Sequence, residues 1–192
     1  GSTSNANIGT LVADTYIEEG LEATWDHGAS GHLDIDSKPF GITYLKFDTA
    51  SVTAPIVRAT LIVWCTNASP DGGIVFPVAD SSWIEGDRTG LDASSVGGPG
   101  LTWTQVDTNQ DGKVDTLDTS PFVPTFATPI VALGAVSSAQ ARSVDVSAAF
   151  QGAPGVYTLA IKSSNSDGAT YSSRSASTVT HRPVLRLELA GP

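Results

Sequence analysis

Two runs decide the fold: Thr43-Tyr-Leu-Lys-Phe-Asp48 and Arg58-Ala-Thr-Leu-Ile-Val-Trp-Cys65, joined by a turn-rich connection through Ser51, Thr53 and Pro55. Both are rich in β-branched and aromatic residues, alternate with a period of two and are bounded by turn formers, which predicts two strands. In the first, Thr43, Leu45 and Phe47 share one face, and Tyr44, Lys46 and Asp48 the other. In the second, Ala59, Leu61, Val63 and Cys65 form a face that is wholly apolar or small, opposite Thr60, Ile62 and Trp64. One face of each strand therefore enters a core. The opposite face is mixed. If the two strands pair as neighbours, it gathers Tyr44, Lys46 and Trp64 into one candidate binding surface, which Lys162 and Arg186 can join from later strands.

The same alternation predicts further strands at Leu11–Ile17, His32–Asp36, Ile74–Ala79, Leu101–Val106, Pro129–Leu133, Arg142–Val146, Val156–Lys162, Ala169–Arg174 and Val184–Leu189. Only Ala135–Ala141 shows helical propensity. Pro121, Pro124 and Pro129 exclude helix and central strand between them. Many short strands separated by turn signals predict an all-β sandwich or barrel. Leu45, Phe47, Leu61, Val63, Leu159, Ile161, Leu185 and Leu187 are its expected core.

The 192 residues suffice for one domain with a real core. Gly1–Thr10 reads as a tag remnant and linker, and 11–190 as a single domain without internal repeats. The leading Gly-Ser is compatible with a removed secretion signal. Hydrophobic residues make up 40% of the chain but fall in short runs. None approaches the roughly 20 apolar residues of a membrane span. The formal net charge of −10 opposes nucleic acid, whose affinity comes from neutralised phosphates, and suits a protein that holds cations. The one cysteine, Cys65, lies on an inward face and reads as a small buried hydrophobe, so no disulfide forms within the chain. Abundant Gly, Ser, Thr, Asp and Pro with little Lys is the look of a secreted or cell-surface domain.

The strongest local signal is the acidic run Asp107 to Asp118. Oxygen-bearing side chains stand at Asp107, Asn109, Asp111, Asp115 and Asp118, with Gly112 at the sixth position. This is the spacing of an EF-hand calcium loop, in which Lys113 supplies a backbone carbonyl. Ca²⁺ needs several hard oxygens at once, and alternate residues of a tight loop turn them inward. Because Ser120-Pro121 breaks an exit helix, the expectation is a structural ion on a loop without flanking helices. His27, His32 and His181 read as ordinary surface histidines. Arg174 and Asp14 are expected to meet, either as a structural ion pair or with the arginine fork presented to a sugar. Trp25, Trp83 and Trp103 form an alternative, loop-borne set at the rim, and the competing expectation is that Trp83 and Trp103 are core residues of the long connection. No carboxylate pair, nucleophile elbow or phosphate loop supports catalysis, so no catalytic residue is assigned.

Several fragments carry a resemblance. Ala-Asp-Thr-Tyr (Ala13 to Tyr16), Tyr-Leu-Lys-Phe-Asp (Tyr44 to Asp48), Ala-Thr-Leu (Ala59 to Leu61) and Trp-Ile-Glu-Gly (Trp83 to Gly86) are followed by Leu-Thr-Trp (Leu101 to Trp103), Val-Asp-Val-Ser (Val144 to Ser147), Ser-Ser-Arg-Ser (Ser172 to Ser175) and Arg-Pro-Val-Leu (Arg182 to Leu185). In this order they resemble the DNRLRE domain and carbohydrate-binding module family 96, modules attached to polysaccharide-degrading enzymes such as alginate lyases. Thr104 stands where the family has Asn, Ser175 where it has Glu, and the acidic loop is an insertion. The resemblance implies an antiparallel two-sheet jelly roll, a secreted or cell-surface setting and non-catalytic binding. The implied partner is a polysaccharide, alginate or another plant or algal glycan. The chain is then expected as a monomer or as part of a multidomain protein. The competing expectation is a calcium-stabilised adhesive domain without a sugar site.

Overall fold

The computed structural model describes residues 7–191. The six residues before them, and with them most of the expected leader, lie outside the described residues; β1 begins at Asn7. Ten strands follow: β1 Asn7–Glu18, β2 His32–Ser37, β3 Phe40–Asp48, β4 Ile56–Asn67, β5 Ile74–Val78, β6 Val131–Ala132, β7 Gln140–Asp145, β8 Val156–Lys162, β9 Ala169–Ser172 and β10 Val184–Leu189. Helix is confined to α1 (Trp103–Val106) and short 3-10 turns. All pairings are antiparallel, so the expected all-β class holds.

The pairings close six strands into a ring, β1-β10-β4-β9-β2-β3 and back to β1. Two strands make the closure. β1 pairs β10 through Asn7–Gly9, then passes a bulge between Leu11 and Ala13 and pairs β3. β2 pairs β9 through His32–Ile35 and β3 through Asp36 and Ser37. Beyond the ring, β8, β5 and β6 extend from β3, and β7 lines the free edge of β4.

The first core cluster fills the ring and continues beneath β8 and β5. Leu45 and Phe47 of β3 and Leu159 and Ile161 of β8 belong to it, with Leu61 and Val63 of β4 and Leu185 and Leu187 of β10. All eight are at most 1% exposed, as the alternation predicts. Cys65 is buried in the same cluster.

A second cluster lies on the outer face of β1, β3, β5 and β8. Ala13, Ile17, Ile42, Tyr44, Val78 and Ala160 point away from the ring, yet all are buried. The long connection 79–130 runs across them and packs Trp83, Leu101, Trp103, Val106 and Val114 onto them. Polar anchors fix this strap. The Tyr44 hydroxyl donates to the Phe122 carbonyl (2.8 Å), and the Trp83 indole N–H donates to Thr158 Oγ1 (2.9 Å). β3 is therefore buried on both faces, and its polar-looking side is interior.

Two elements differ from expectation. Leu101–Val106 is not a strand: α1 forms because Gln105 accepts the Thr102 backbone N–H (3.3 Å), a capping box in the sequence Thr-x-x-Gln. Ala135–Ala141 is not helical. Val136 bridges to Ser69, Ala139 takes a φ of +58°, and β7 begins at Gln140.

Trp103 joins strap to sheet, with its ring stacked on Phe40 and its N–H on Asp107 Oδ2 (3.1 Å). Trp103→Ala is expected to cost about 3–5 kcal/mol, as for a buried tryptophan, measured by urea denaturation. A change within about 0.5 kcal/mol, typical of surface sites, would show that the strap is not part of the folded unit.

Candidate functional site

The outer faces of the two halves of the ring differ. The face of β10, β4 and β7 is open. Its outward residues follow from the register. Arg58 of β4 stands beside Glu188 of β10, Thr60 lies between Arg186 and Asp145, Ile62 between Val184 and Ser143, and Trp64 beside Ala141. Along β4 burial alternates, with Ala59, Leu61, Val63 and Cys65 inside and Thr60, Ile62 and Trp64 half-buried outside. Ile8 of β1 continues the Thr60 row and is exposed.

Trp64 is the aromatic centre of this face. Its ring lies flat against the His181 imidazole, with centroids 3.8 Å apart and planes within 6°. His181 comes from the 3-10 turn Val179–His181, just ahead of β10. Arg186 is exposed four residues along the strands from Trp64's level, about 14 Å away at about 3.4 Å per residue. The outward rows of these strands carry Arg58 and Arg186 and, of the chain's 20 acidic residues, Asp145 and Glu188; Arg142 points to the other side, where its Nε donates to the Leu133 carbonyl (2.7 Å). An exposed pair joins Arg58 Nε to Asp145 (3.6 Å). In a chain of net charge −10, this face is locally free of excess negative charge.

The expected grouping of Tyr44, Lys46 and Trp64 does not form. β3 pairs β1, β2 and β8, while β4 pairs β10, β7 and β9, so the two strands never meet as neighbours. Tyr44 is fully buried under the strap. The Lys46 ammonium donates to the Trp83 carbonyl (2.6 Å) and lies 4.4 Å over its ring. Lys162 points to the same covered side, over Phe40. The rim alternative fails for a related reason. Trp25, Trp83 and Trp103 are each 9% exposed or less, so none offers an open ring face.

Arg174 and Asp14 meet, but through the backbone. The Arg174 N–H donates to Asp14 Oδ2 (2.7 Å), while its guanidinium donates to Glu85 Oε2 (2.8 Å). Glu85 also accepts the Asp14 N–H (2.8 Å), which ties the strap to β1. The arginine fork is thus engaged by a residue that sequence spacing did not single out, although Glu85 lies within the quoted Trp-Ile-Glu-Gly fragment. Nor is His27 a surface histidine: it is buried, packed at a tilt against the Tyr16 ring (centroids 4.0 Å apart) and bonded to Glu22 (2.9 Å). His32 is partly exposed and pairs with Asp34 (3.3 Å).

The acidic loop folds around its first aspartate. Asp107 is buried and accepts the N–H groups of Asp111 (3.2 Å) and Gly112 (3.0 Å). Gly112 takes a φ of +80°, the tight turn its place in the spacing requires. Asp118 accepts from Thr108, Asn109 and Asp115, Asp111 from Lys113, and Asp115 from Leu117. The donor set is one of hard oxygens and suits calcium in kind. Among the described residues no three His, Cys, Asp or Glu side chains converge as metal ligands.

Two carboxyls are pushed up to about pKa 7. Burial raises Asp14, partly offset by the Arg174 N–H, and the Glu85 charge adds to it. Burial also raises Glu18, aided by Glu22, Asp34 and Asp36. In the unfolded chain both release their protons near the ordinary carboxylate range. Their contribution to stability is therefore fully present below about pH 4 and is lost as the pH rises towards 7. Asp14→Asn removes one such loss. Its melting temperature relative to wild type is expected to rise by several degrees between pH 5 and pH 8. Parallel curves for the two proteins would show that Asp14 ionises freely in the fold.

A family model described as Carbohydrate-binding module family 96 matches residues 7–124. The match covers β1 to β5, Trp64 included, and most of the strap. No curated protein matches the chain.

Proposed function

The chain belongs to carbohydrate-binding module family 96, and from that premise we propose that it holds a polysaccharide across the open face of β10, β4 and β7. The family is one of non-catalytic binding modules. The observation that carries the placement is the position of Trp64: of the four tryptophans, three are buried and Trp64 alone is partly exposed, on the face that no strap covers. A sugar ring has an apolar C–H face and a fringe of hydroxyls. Trp64, with one ring face resting on His181, supplies the partly exposed remainder of its ring as an apolar surface for the first. Arg186 supplies a rigid fork of N–H donors for the second. Their separation along the strands suits a chain of sugars.

With two arginines against two carboxylates, this face lacks the excess negative charge with which the chain as a whole would repel a carboxylated polysaccharide such as alginate or another algal or plant glycan. Such a ligand places the module outside the cell. The ring reads as a flattened two-sheet jelly roll, because the main core lies between the β4/β10 side and the β3/β8 side.

Retention on immobilised alginate and on a neutral glucan tests the placement. Trp64→Ala with Arg186→Ala is expected to weaken retention at least tenfold, about 1.4 kcal/mol, with an unchanged far-UV circular dichroism spectrum. Tyr44→Phe is expected to leave retention unchanged. Full retention by the double variant would remove the site from this face. A wild-type protein held by no glycan would favour the adhesive, structural reading.

The loop Asp107 to Asp118 is proposed to hold one structural Ca²⁺ through Asp107, Asn109, Asp111, Asp115, Asp118 and the Lys113 carbonyl. Its support is the oxygen spacing with Gly112 at positive φ. At 100 times the dissociation constant a ligand adds about 2.7 kcal/mol to stability. Chelation is therefore expected to lower the melting temperature by several degrees, and Asp111→Ala to abolish that response. Identical melting with and without chelator would rule the site out.

A further inference from the structure

Two of the chain's three histidines face carboxylates: His27 Nε2 lies 2.9 Å from Glu22, and His32 Nε2 lies 3.3 Å from Asp34. His181 differs. Among the described residues it has no ion-pair partner. What it has is the Trp64 ring, 3.8 Å away between centroids and within 6° of parallel. Its position is fixed by the backbone. His181 ends a 3-10 turn in which its N–H donates to the Thr178 carbonyl (3.0 Å) and the Arg182 N–H to that of Val179 (3.2 Å). Arg182 Nε anchors the turn on the Ala176 carbonyl (3.0 Å), and buried Pro183 leads into β10.

The stack has neutral surroundings on the sheet. Its outward neighbours are Ile62 and Thr66 on β4, Ala141 and Ser143 on β7, and Val184 on β10. Arg182 is the adjacent charge in the chain, and from β1 Asp14 feels that charge. The carboxylates of the open face, Asp145 and Glu188, stand at the levels of Thr60 and Arg58. That is four and six residues along β4 from Trp64, so at least about 14 Å away at about 3.4 Å per residue. Such a distance exceeds the screening length of about 10 Å at 0.1 M salt. Histidine is the side chain whose charge ordinarily changes between pH 5 and 8. A cation over an indole face is attracted by the ring quadrupole, so the stack accommodates both states of the imidazole. Neutral, His181 extends the aromatic surface. Charged, it sets one positive charge against Trp64 with no carboxylate beside it.

We propose that His181 is the proton-sensitive half of the Trp64 platform: charged, it makes the platform prefer anionic to neutral polysaccharide, and neutral, it removes that preference. This regulation rests on the open-face reading and adds to it a response to pH. The carboxylates of a glycan stay ionised at about pH 5.5, above the ordinary carboxylate range, so only the protein side of the contact changes.

Retention of the whole protein on immobilised alginate and on a neutral glucan, at low salt and at about pH 5.5 and about pH 8, tests the proposal. Wild-type retention on alginate is expected to be about fivefold stronger at the lower pH, the worth of one charge pair in contact in water. Retention on the neutral glucan is expected to change less than twofold. His181→Phe keeps a ring on Trp64 but cannot be charged, and is expected to lose most of the pH response on alginate while holding the glucan as wild type does. Asp14, Glu18 and His32 also titrate in or near this range. They remain in the variant, so the difference between the two proteins isolates His181. A second readout needs no ligand. A protonated imidazole in contact with an indole quenches its fluorescence, so wild type is expected to dim as the pH falls, in a step that His181→Phe lacks. The same pH response of alginate retention in both proteins, or identical fluorescence titrations, would overturn this inference and leave the open face standing. Full retention by Trp64→Ala at both pH values would overturn the open-face reading and this inference with it.

Discussion

The structure depends on covering one apolar sheet face. Ile17, Ile42, Tyr44, Val78 and Ala160 project outward from β1, β3, β5 and β8, on the side away from the main core. Burying an Ile, Val or aromatic side chain of this kind is worth roughly 1.5–3 kcal/mol. Left in water, these residues would form the kind of contiguous apolar patch that marks an interaction surface. The strap 79–130 covers them with Trp83, Leu101, Trp103, Val106 and Val114. Covering that face leaves the face of β10, β4 and β7 as the open one, the face on which a ligand is proposed to lie.

The strap is also where the polar chemistry collects. Glu85 meets both the Arg174 guanidinium and the Asp14 N–H. Asp107 receives the Trp103 indole and nucleates the acidic loop. Val114 of that loop is anchored in the second core, next to a cleft lined by Lys162. An ion in the loop would therefore act on the same segment that closes the sheet. Stability at that segment and occupancy of the loop are linked by mass action.

The main core was legible in the sequence because its signal is local. A period of two in Leu45/Phe47, Leu61/Val63, Leu159/Ile161 and Leu185/Leu187 needs no knowledge of which strands pair. The candidate site was legible only in part. Trp64 and Arg186 were assigned to an outward face, and they share one. Tyr44 and Lys46 were assigned to the same face on the assumption that sequential strands pair. β4 instead crosses to the other side of the ring, so pairing is a global property that alternation does not encode. The strap hid the rest. Its Gly- and Ser-rich run from 85 to 100 has no periodicity, yet the buried Asp26 carboxylate fixes it by accepting from Gly28, Asp87 and Gly100. Trp83 and Trp103 carry two readings in the sequence, rim aromatics beside Trp25 or core residues of the long connection, because a loop tryptophan looks the same whether it faces water or a sheet; the structure takes the second. The strand-like alternation of Leu101–Val106 masks the Thr-x-x-Gln cap of α1.

The central claim is that ligand lies on the Trp64 face. Mild tryptophan oxidation, read by peptide mass spectrometry, tests it most directly, because Trp64 is the one tryptophan of the four that is not buried. Without ligand, Trp64 should be the fast-reacting tryptophan, since Trp83 and Trp103 are each 2% exposed and Trp25 9%. With a saturating polysaccharide that the protein binds, its oxidation should slow severalfold while the other three stay unchanged. Trp64 oxidised at the same rate with the polysaccharide fully bound would contradict the account.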